Sequence, residues 1–221
     1  MIPSNRIVLL AGHYGSGKTN VAVNLALEKR KTHRRVAIAD LDIVNPYFRS
    51  KDSAAVFAEH GIRLICSEYA NTNVDIPALP ADMYAIADDH ELQTVIDVGG
   101  DDRGALALGR LSPSIRAEND YAMLMVINGY RPLTRTPEEV VEVMREIEQA
   151  GGLPFTGLIN NSNLGAATTA HDVAASVAFA EQTAALTGLP IVMTTVDASL
   201  YEQLKNSIPN LFPLDLQRRA V

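Results

Sequence analysis

The feature that most constrains this chain is a glycine-rich segment that joins an apolar run to an amphipathic one. The apolar run ends at Ala11, and Gly12–Thr19 reads Gly-His-Tyr-Gly-Ser-Gly-Lys-Thr. This segment satisfies the pattern G-x-x-x-x-G-K-S/T at every fixed position. The pattern forms an anion-binding loop when a strand precedes it and a helix follows it, and both are expected here. We call Gly12–Thr19 the phosphate loop.

Each residue type in the phosphate loop has a predicted role. The glycines let the backbone curl so that successive N–H groups point at a β-phosphate. A helix that starts near Lys18 adds the positive end of its dipole. We expect Lys18 to bridge the β- and γ-phosphates and the Thr19 hydroxyl oxygen to bind Mg²⁺. The expected nucleotide-binding residues of the loop are Gly12, His13, Tyr14, Gly15, Ser16, Gly17, Lys18 and Thr19.

Carboxylates follow two further apolar runs. Asp40 and Asp42 come directly after Val36–Ala39, and Asp97 comes directly after Thr94–Ile96. We expect both runs to be strands that flank the first strand of a doubly wound sheet, which would place these acids beside the phosphates. We expect Asp97 to contact the waters of a bound Mg²⁺ and Asp40 to touch the same Mg²⁺ shell. Asp42 lies two residues from Asp40, faces the same side of an extended chain, and would orient the attacking water.

The spacing D-x-x-G also selects Gly100, three residues after Asp97. We expect its backbone N–H to reach the γ-phosphate. The acids and Gly100 together predict hydrolysis in addition to binding.

Short apolar runs alternate with helical or polar stretches along the whole chain. Most runs are continuous, which is typical of strands buried on both faces. The alternation predicts an α/β fold with a three-layer, doubly wound, mainly parallel sheet, and we interpret residues 1–221 as a single domain. The predicted strands are Arg6–Ala11, Val36–Ala39, Ile62–Cys66, Thr94–Val98, Ala122–Ile127, Thr156–Ile159 and Ile191–Thr194.

Three helices can be predicted as well. One follows the phosphate loop. A second has Thr136 as its N-cap and Glu139 as the returning member of a capping box, and it ends at Gly151-Gly152. An alanine-rich third covers much of Asp172–Leu186 and stops at Gly188. The tail 208–216 contains two prolines, so we expect it to pack on the domain rather than form an amphipathic helix.

Composition argues against several classes of partner and site. Acidic residues outnumber basic ones by 26 to 19, which is unfavourable for coating nucleic acid, so no nucleic-acid partner is expected. Cys66 is the only cysteine, which excludes an intrachain disulfide and a Cys-x-x-Cys metal site. No apolar run approaches the ~20 residues that span a bilayer, and the start of the sequence has no signal-peptide pattern. We therefore expect a cytoplasmic protein without membrane insertion.

With the phosphate loop, the segment Asp40–Pro46 and the segment Asp97–Gly100, the chain resembles the MinD/ParA/CobQ-like branch of SIMIBI-class phosphate-loop ATPases. The segment Asp42–Arg49 resembles a subgroup of bacterial and archaeal ATP-binding proteins. The resemblance implies that the acids serve Mg²⁺ and water activation. Typical members carry a second lysine at the position of His13, which reaches across a dimer to the partner's phosphates. Because this chain has His13 at that position, the sequence leaves open whether it forms a nucleotide-dependent homodimer.

The nucleotide is expected to be ATP. The Asn/Thr-Lys-x-Asp segment of guanine-specific relatives does not occur, and Asn160-Asn161-Ser162-Asn163 stands in its place. Similar proteins put an asparagine there against the base, so Asn160 is the first candidate and Asn161 the second. A polar turn with no role in binding is the alternative.

Three functions remain open from the sequence. The first is a regulatory or assembly ATPase that cycles between ATP and ADP and acts on an unknown protein partner. The second is a small-molecule kinase or ATP-dependent ligase of the dethiobiotin-synthetase type, with an acceptor pocket built from Asn45–Arg49 and Arg131–Arg135. The third, a metallochaperone GTPase like HypB or UreG, is poorly supported because the five histidines are scattered and only one cysteine is present.

Overall fold

A computed structural model of the chain describes residues 2–41, 51–66, 81–100 and 102–215. Within these ranges the strands are β1 (Ile7–Ala11), β2 (Val36–Asp40), β3 (Ile62–Cys66), β4 (Gln93–Asp97), β5 (Tyr121–Ile127), β6 (Gly157–Asn160), β7 (Ile191–Asp197) and β8 (Leu211–Leu214). The helices are α1 (Lys18–Thr32), α2 (Lys51–Glu59), α3 (Ala81–Asp88), α4 (Asp102–Glu118), α5 (Pro137–Gly151), α6 (Ala170–Thr187) and α7 (Ala198–Leu204).

The eight strands form one parallel sheet in the order β3-β2-β4-β1-β5-β6-β7-β8. Apolar side chains of α1 and of α2 pack on one face of it, and those of α3, α4, α5 and α6 pack on the other. The interior strands β1 and β2, each with a neighbour on both sides, are buried along their whole length. The predicted α/β fold with three layers and a parallel sheet is confirmed.

The predicted strands agree closely with the observed ones. Six of the seven match within one residue at each end, and β7 extends three residues further, to Asp197. β3 differs in burial, because it lies at an edge of the sheet and leaves Arg63 exposed. Apolar runs therefore located strands with neighbours on both sides and also the edge strand β3.

One expectation about strand order is wrong. Both acid-bearing strands were expected to flank β1, but only β4 does, and β2 lies on the far side of β4. The chain leaves β1, forms β2 and β3, and then returns to place β4 between β1 and β2. Asp40 pairs in register with Asp97, so the two carboxylates still lie side by side at the ends of adjacent strands.

The tail forms a strand that the sequence did not predict. β8 pairs with β7 at the edge of the sheet, a position that tolerates Pro213 because an edge strand needs ladder hydrogen bonds on one side only. The Asn24 side chain on α1 holds the residue after β8, since Asn24 Oδ1 accepts from Asp215 N at 2.9 Å. Among the described residues, no helix has the length and apolar character needed to cross a membrane.

The predicted helix caps are present. The N-cap of α5 is Thr136, whose Oγ1 accepts from Glu139 N while Glu139 Oε2 accepts from Thr136 N, as a capping box requires. Gly152 closes α5 in the left-handed conformation with φ 69°. α6 ends at Gly188 in the same way.

Candidate functional site

The candidate site lies at the edge of the sheet where the parallel strands end. Four connections meet there: those that follow β1, β4, β5 and β6. Contacts with the phosphate loop are made by Asp97 and Gly100 from the β4 side, by Arg131 after β5, and by Asn161 after β6. The carboxyl edge of a doubly wound sheet is the usual place for ligands in this architecture.

Two glycines of the phosphate loop are fixed by close contacts. Gly12 has φ 147°, and a Cβ there would lie 2.5 Å from the carbonyl oxygen of Val126 on β5. Gly17 has φ 87°, and a Cβ there would overlap the side-chain amide of Asn161. A side chain at either position would displace the loop from β5 or from Asn161.

Side chains hold the carbonyl groups of the phosphate loop. Lys18 Nζ donates to Gly12 O at 3.0 Å and to His13 O at 3.4 Å, and Asn161 Nδ2 donates to Ser16 O at 2.6 Å. Arg131 Nε donates to Gly15 O at 3.0 Å. A loop whose carbonyls are engaged in this way is suited to receiving an anion on its N–H groups.

The polar side chains of the loop also suit a phosphate group. Ser16 Oγ is buried and has no hydrogen-bond partner among the described residues, so it is a donor that a phosphate oxygen would satisfy. The Lys18 side chain is buried and carries a positive charge into the same loop. At the mouth, His13 Nδ1 bonds to Tyr14 O at 2.9 Å and the Tyr14 side chain is 67% exposed.

Thr19 and Asp97 are in direct contact, as a shared role at a metal ion would require. Thr19 Oγ1 donates to Asp97 Oδ2 at 2.6 Å, which leaves lone pairs of the hydroxyl oxygen available to a cation. Asp40 is buried on the adjacent strand, and its register with Asp97 puts both side chains on the sheet face that α1 covers. Asp42 lies outside the described residues, so its predicted role stays a prediction.

This arrangement fits Mg²⁺ better than a metal held by protein ligands alone. Among the described residues, no group of three or more His, Cys, Asp or Glu side chains is placed to hold a metal ion. Mg²⁺ keeps several waters and takes one or two protein oxygens together with phosphate oxygens. Thr19 and Asp97 supply such oxygens beside the loop.

Gly100 approaches the phosphate loop closely. A Cβ on Gly100 would lie 2.8 Å from Tyr14 N and 3.0 Å from Lys18 Nζ. The backbone of Gly100 is therefore next to the ammonium group that is expected to meet the γ-phosphate. Its N–H contact with that phosphate stays a prediction.

The two asparagines chosen for the base are engaged within the protein. Asn160 is buried, and its Nδ2 donates to Ser176 Oγ at 2.9 Å while its Oδ1 accepts from Ser162 N at 3.2 Å. Asn161 Oδ1 accepts from Thr195 Oγ1 at 2.5 Å, and Asn161 Nδ2 donates to Ser16 O. A contact with the base would require either amide to exchange these bonds, so both assignments stay predictions.

Sequence reasoning did not identify the role of the segment after β5. Arg131 was considered only for an acceptor pocket, whereas its side chain contacts the phosphate loop. The other half of that expected pocket, Asn45–Arg49, lies outside the described residues. The sequence signal for this turn is the polar residue Asn128 directly after the buried strand β5.

Comparisons with known proteins give structural neighbours only. No protein-family model and no curated protein matches the sequence. FtsY from Thermotoga maritima matches with a TM-score of 0.57 at 20% identity over 86% of this chain. Chloroplast FtsY from Physcomitrella patens gives 0.56 at 16% over 85%. The signal recognition particle 54 kDa protein from Aeropyrum pernix, solved with GDP, gives 0.51 at 19% over 85%.

The matched region is part of each neighbour, because the chain spans 61%, 57% and 40% of their respective lengths. At these identities the likeness concerns the fold. With a parallel sheet, a loop of the expected pattern after β1 and these neighbours, the chain has the α/β fold of phosphate-loop NTPases.

Proposed function

We propose that the chain binds a Mg-nucleoside triphosphate in its phosphate loop and hydrolyses it, with ATP as the nucleotide. The observation that carries this proposal is the 2.6 Å contact between Thr19 and Asp97 next to a loop that Lys18 enters. A strand-end carboxylate bonded to the loop threonine has a direct use at the Mg²⁺ of a nucleotide. A glycine-rich turn with only a structural role would not need that pair.

The protein groups have distinct tasks in this proposal. The Lys18 ammonium exchanges its bonds to Gly12 O and His13 O for the β- and γ-phosphate oxygens. Thr19 and Asp97 hold the metal side of the nucleotide, with Asp40 beside them. Mg²⁺, when bound, neutralises charge that develops on the phosphate oxygens. Asp42 orients the water that attacks the γ-phosphate.

The choice of ATP rests on the sequence. The chain lacks the segment with which guanine-specific relatives bind the base, and asparagines follow β6 in its place. Asn160 or Asn161 would pair with the adenine edge after exchanging its present partner. The GDP in the Aeropyrum pernix structure belongs to that protein.

The finer class we propose is a regulatory or assembly ATPase of the MinD/ParA-like kind, which cycles between ATP and ADP states to act on a protein partner. The acids for water activation and the resemblance in the segments Asp40–Pro46 and Asp97–Gly100 support this class. Such a protein hydrolyses ATP without a small-molecule acceptor, whereas a kinase or ligase requires one.

Phosphate release from ATP and GTP, measured with Mg²⁺ and no acceptor, tests the proposal. We expect release from ATP, preferred over GTP, and a drop of at least about tenfold in Asp97→Asn, the loss of roughly one charge-assisted contact. Asp88→Asn, an exposed carboxylate on α3, is the matched control and should behave as wild type. Release that appears only with an added acceptor would exclude the proposed class, and a preference for GTP would exclude the base assignment.

A further inference from the structure

A contact between two distant segments of the chain lies at one side of the phosphate loop. Arg131, in the turn after β5, donates from Nε to Gly15 O at 3.0 Å across 116 residues of sequence. Gly15 has φ 78°, and a Cβ there would lie 3.9 Å from the same Nε. The guanidinium therefore lies directly against the loop, and its remaining N–H groups have no hydrogen-bond partner among the described residues.

The turn that carries Arg131 is rigidly built around Asn128. The carbonyl oxygen of Asn128 accepts from Arg131 N at 3.1 Å and from Thr134 Oγ1 at 2.9 Å. Its side-chain Oδ1 accepts from Tyr130 N at 3.1 Å and from Asn163 N at 3.3 Å. Asn128 is fully buried.

Two further bonds tie this turn to the elements around it. Gly129 N donates to Ser162 Oγ at 3.0 Å, and Tyr130 Oη donates to Asp172 O on α6 at 2.8 Å. The backbone of Arg131 is thus anchored to the segment after β6 and to α6. Anchoring the backbone at this point fixes where the Arg131 side chain starts, which reduces the freedom it loses on reaching the phosphate loop.

Three side chains outside residues 12–17 bond to carbonyls of the loop. Lys18 holds those of Gly12 and His13, and Asn161 holds that of Ser16. Gly15 also has a positive φ. No residue of α1 or of the β6 connection makes a described hydrogen bond to it, and Arg131 bonds to its carbonyl oxygen. The N–H end of the same peptide, Ser16 N, donates to His13 O at 3.2 Å, and Arg131 supplies the described bond to its carbonyl end.

We infer that Arg131 is a positioning residue of the nucleotide site: it fixes the Gly15 peptide so that the phosphate loop is ordered for the α- and β-phosphates before nucleotide binds. This inference rests on the proposed function. Because the contact is with the loop backbone, Arg131 acts on diphosphate and triphosphate alike. A residue that reached the γ-phosphate would act on the triphosphate alone.

Calorimetric titration of MgADP and of a non-hydrolysable MgATP analogue into the full chain separates these cases. We expect Arg131→Ala to weaken both ligands by about tenfold and equally, the loss for one charge-assisted hydrogen bond. Arg131→Lys, which keeps a cationic donor, should recover part of both affinities. Arg145→Ala removes an exposed arginine on α5 and should change neither. The unfolding temperature of Arg131→Ala should stay at the wild-type value, because the side chain is exposed.

Two results would overturn the inference: a loss confined to the triphosphate, or unchanged affinity for both ligands. Amide NMR signals of residues 13–17 in nucleotide-free protein give an independent readout. They should shift or broaden in Arg131→Ala and not in Arg145→Ala. If wild type binds neither nucleotide, the proposed function fails, and these signals still decide whether Arg131 orders the loop.

Discussion

Gly17 is under the strictest steric requirement in the candidate site. Its φ of 87° is disfavoured for side chains, and a Cβ would overlap Nδ2 of Asn161. Asn161 cannot move aside without loss, since Ser16 O and Thr195 Oγ1 hold both ends of its amide. Gly188 has a similar φ of 72° but no atom within 4 Å of a Cβ. A substitution at Gly188 therefore introduces backbone strain alone, whereas one at Gly17 introduces both backbone strain and a steric clash.

We predict that Gly17→Ala and Gly188→Ala each lose about 1–2 kcal/mol of unfolding free energy for the left-handed backbone. Only Gly17→Ala should also lose nucleotide binding, because it displaces Asn161 and the Ser16 peptide. Denaturant unfolding and calorimetry on both variants check this pair. Wild-type affinity in Gly17→Ala would show that the loop does not need the observed contact.

Lys29 on α1 carries a charge into the protein at the opposite edge of the sheet. Its Nζ donates to Asn5 O at 2.7 Å and to Gln93 Oε1 at 2.9 Å. Burial lowers the pKa of Lys29 from 10.5 to about 8, and the attraction of Asp120 opposes the shift. Below pH 8 the amine is charged in the folded and unfolded states, so the cost of burying the charge is fully present.

Between pH 8 and pH 10.5 the unfolded chain keeps the Lys29 proton that the folded protein has released, so stability should rise with pH. We predict that the free energy of unfolding of wild type, relative to Lys29→Met, increases by about 2 kcal/mol from pH 8 to pH 10. Lys31→Met, which removes an exposed lysine on the same helix, is the matched control. A flat difference for Lys29→Met would mean that its pKa is not lowered.

At the scale of single residues, the sequence predicted which residues the site contains better than what each one touches. The pattern Gly12–Thr19 and the carboxylate of Asp97 lie together because motif spacing and strand ends determine their places. The amide of Asn160 turns toward Ser176 on α6, and no local pattern specifies such a long-range partner. Residue type after a strand indicates a polar position, but the packing of the neighbouring helix selects its bond.

Among the helices, α4 shows how tertiary contacts override a weak local pattern. Its helical sequence pattern is weakened by Gly104, Gly109 and Pro113, and the sequence did not predict this helix. A Cβ on Gly104 would lie 2.6 Å from Cα of Gly99, and one on Gly109 would lie 3.1 Å from Ala150 O of α5. The glycines thus permit close packing of α4, which sequence periodicity does not reveal.

Ser112 compensates for the proline in α4. Pro113 has no N–H to donate to the carbonyl of Gly109 four residues earlier. Ser112 Oγ donates to Gly109 O at 3.1 Å and supplies a donor to that carbonyl. Since Ser112 is buried, water cannot easily replace it.

We predict that Ser112→Ala lowers the free energy of unfolding by about 1 kcal/mol, because the part-buried Gly109 carbonyl loses this donor. That loss corresponds to roughly 2–4 °C in melting temperature for a chain of this size. Ser114→Ala, the exposed serine on the other side of Pro113, should be neutral. Equal melting temperatures for the two variants would contradict the compensation.

By contrast, α5 was predicted from end to end. Its capping box, its proline at the first turn and its C-terminal glycine are all local signals, and its buried stripe of Val140, Met144 and Ile147 follows helical spacing. β8 was missed for the opposite reason. Its four residues include Pro213, and only pairing with β7 makes them a strand.

For the whole molecule, the sequence predicted the fold class and not the spatial order of the strands. Apolar runs show that a strand is buried, but they do not say which strand is its neighbour. The return of the chain to insert β4 between β1 and β2 put Asp97 next to the loop and Asp40 one strand further away. The site therefore depends on a topology that becomes evident only when the sheet is assembled.

The central claim is that this assembled edge binds a Mg-nucleotide through Lys18. Calorimetric titration of MgATP into wild type, Lys18→Ala and Lys31→Ala tests it most directly, since Lys31 is an exposed lysine on the same helix. The account predicts saturable binding to wild type and Lys31→Ala, and a loss of at least about 100-fold in Lys18→Ala, as expected for a buried cation that meets two phosphates. Binding of equal strength in wild type and Lys18→Ala, or no binding to wild type, would contradict it.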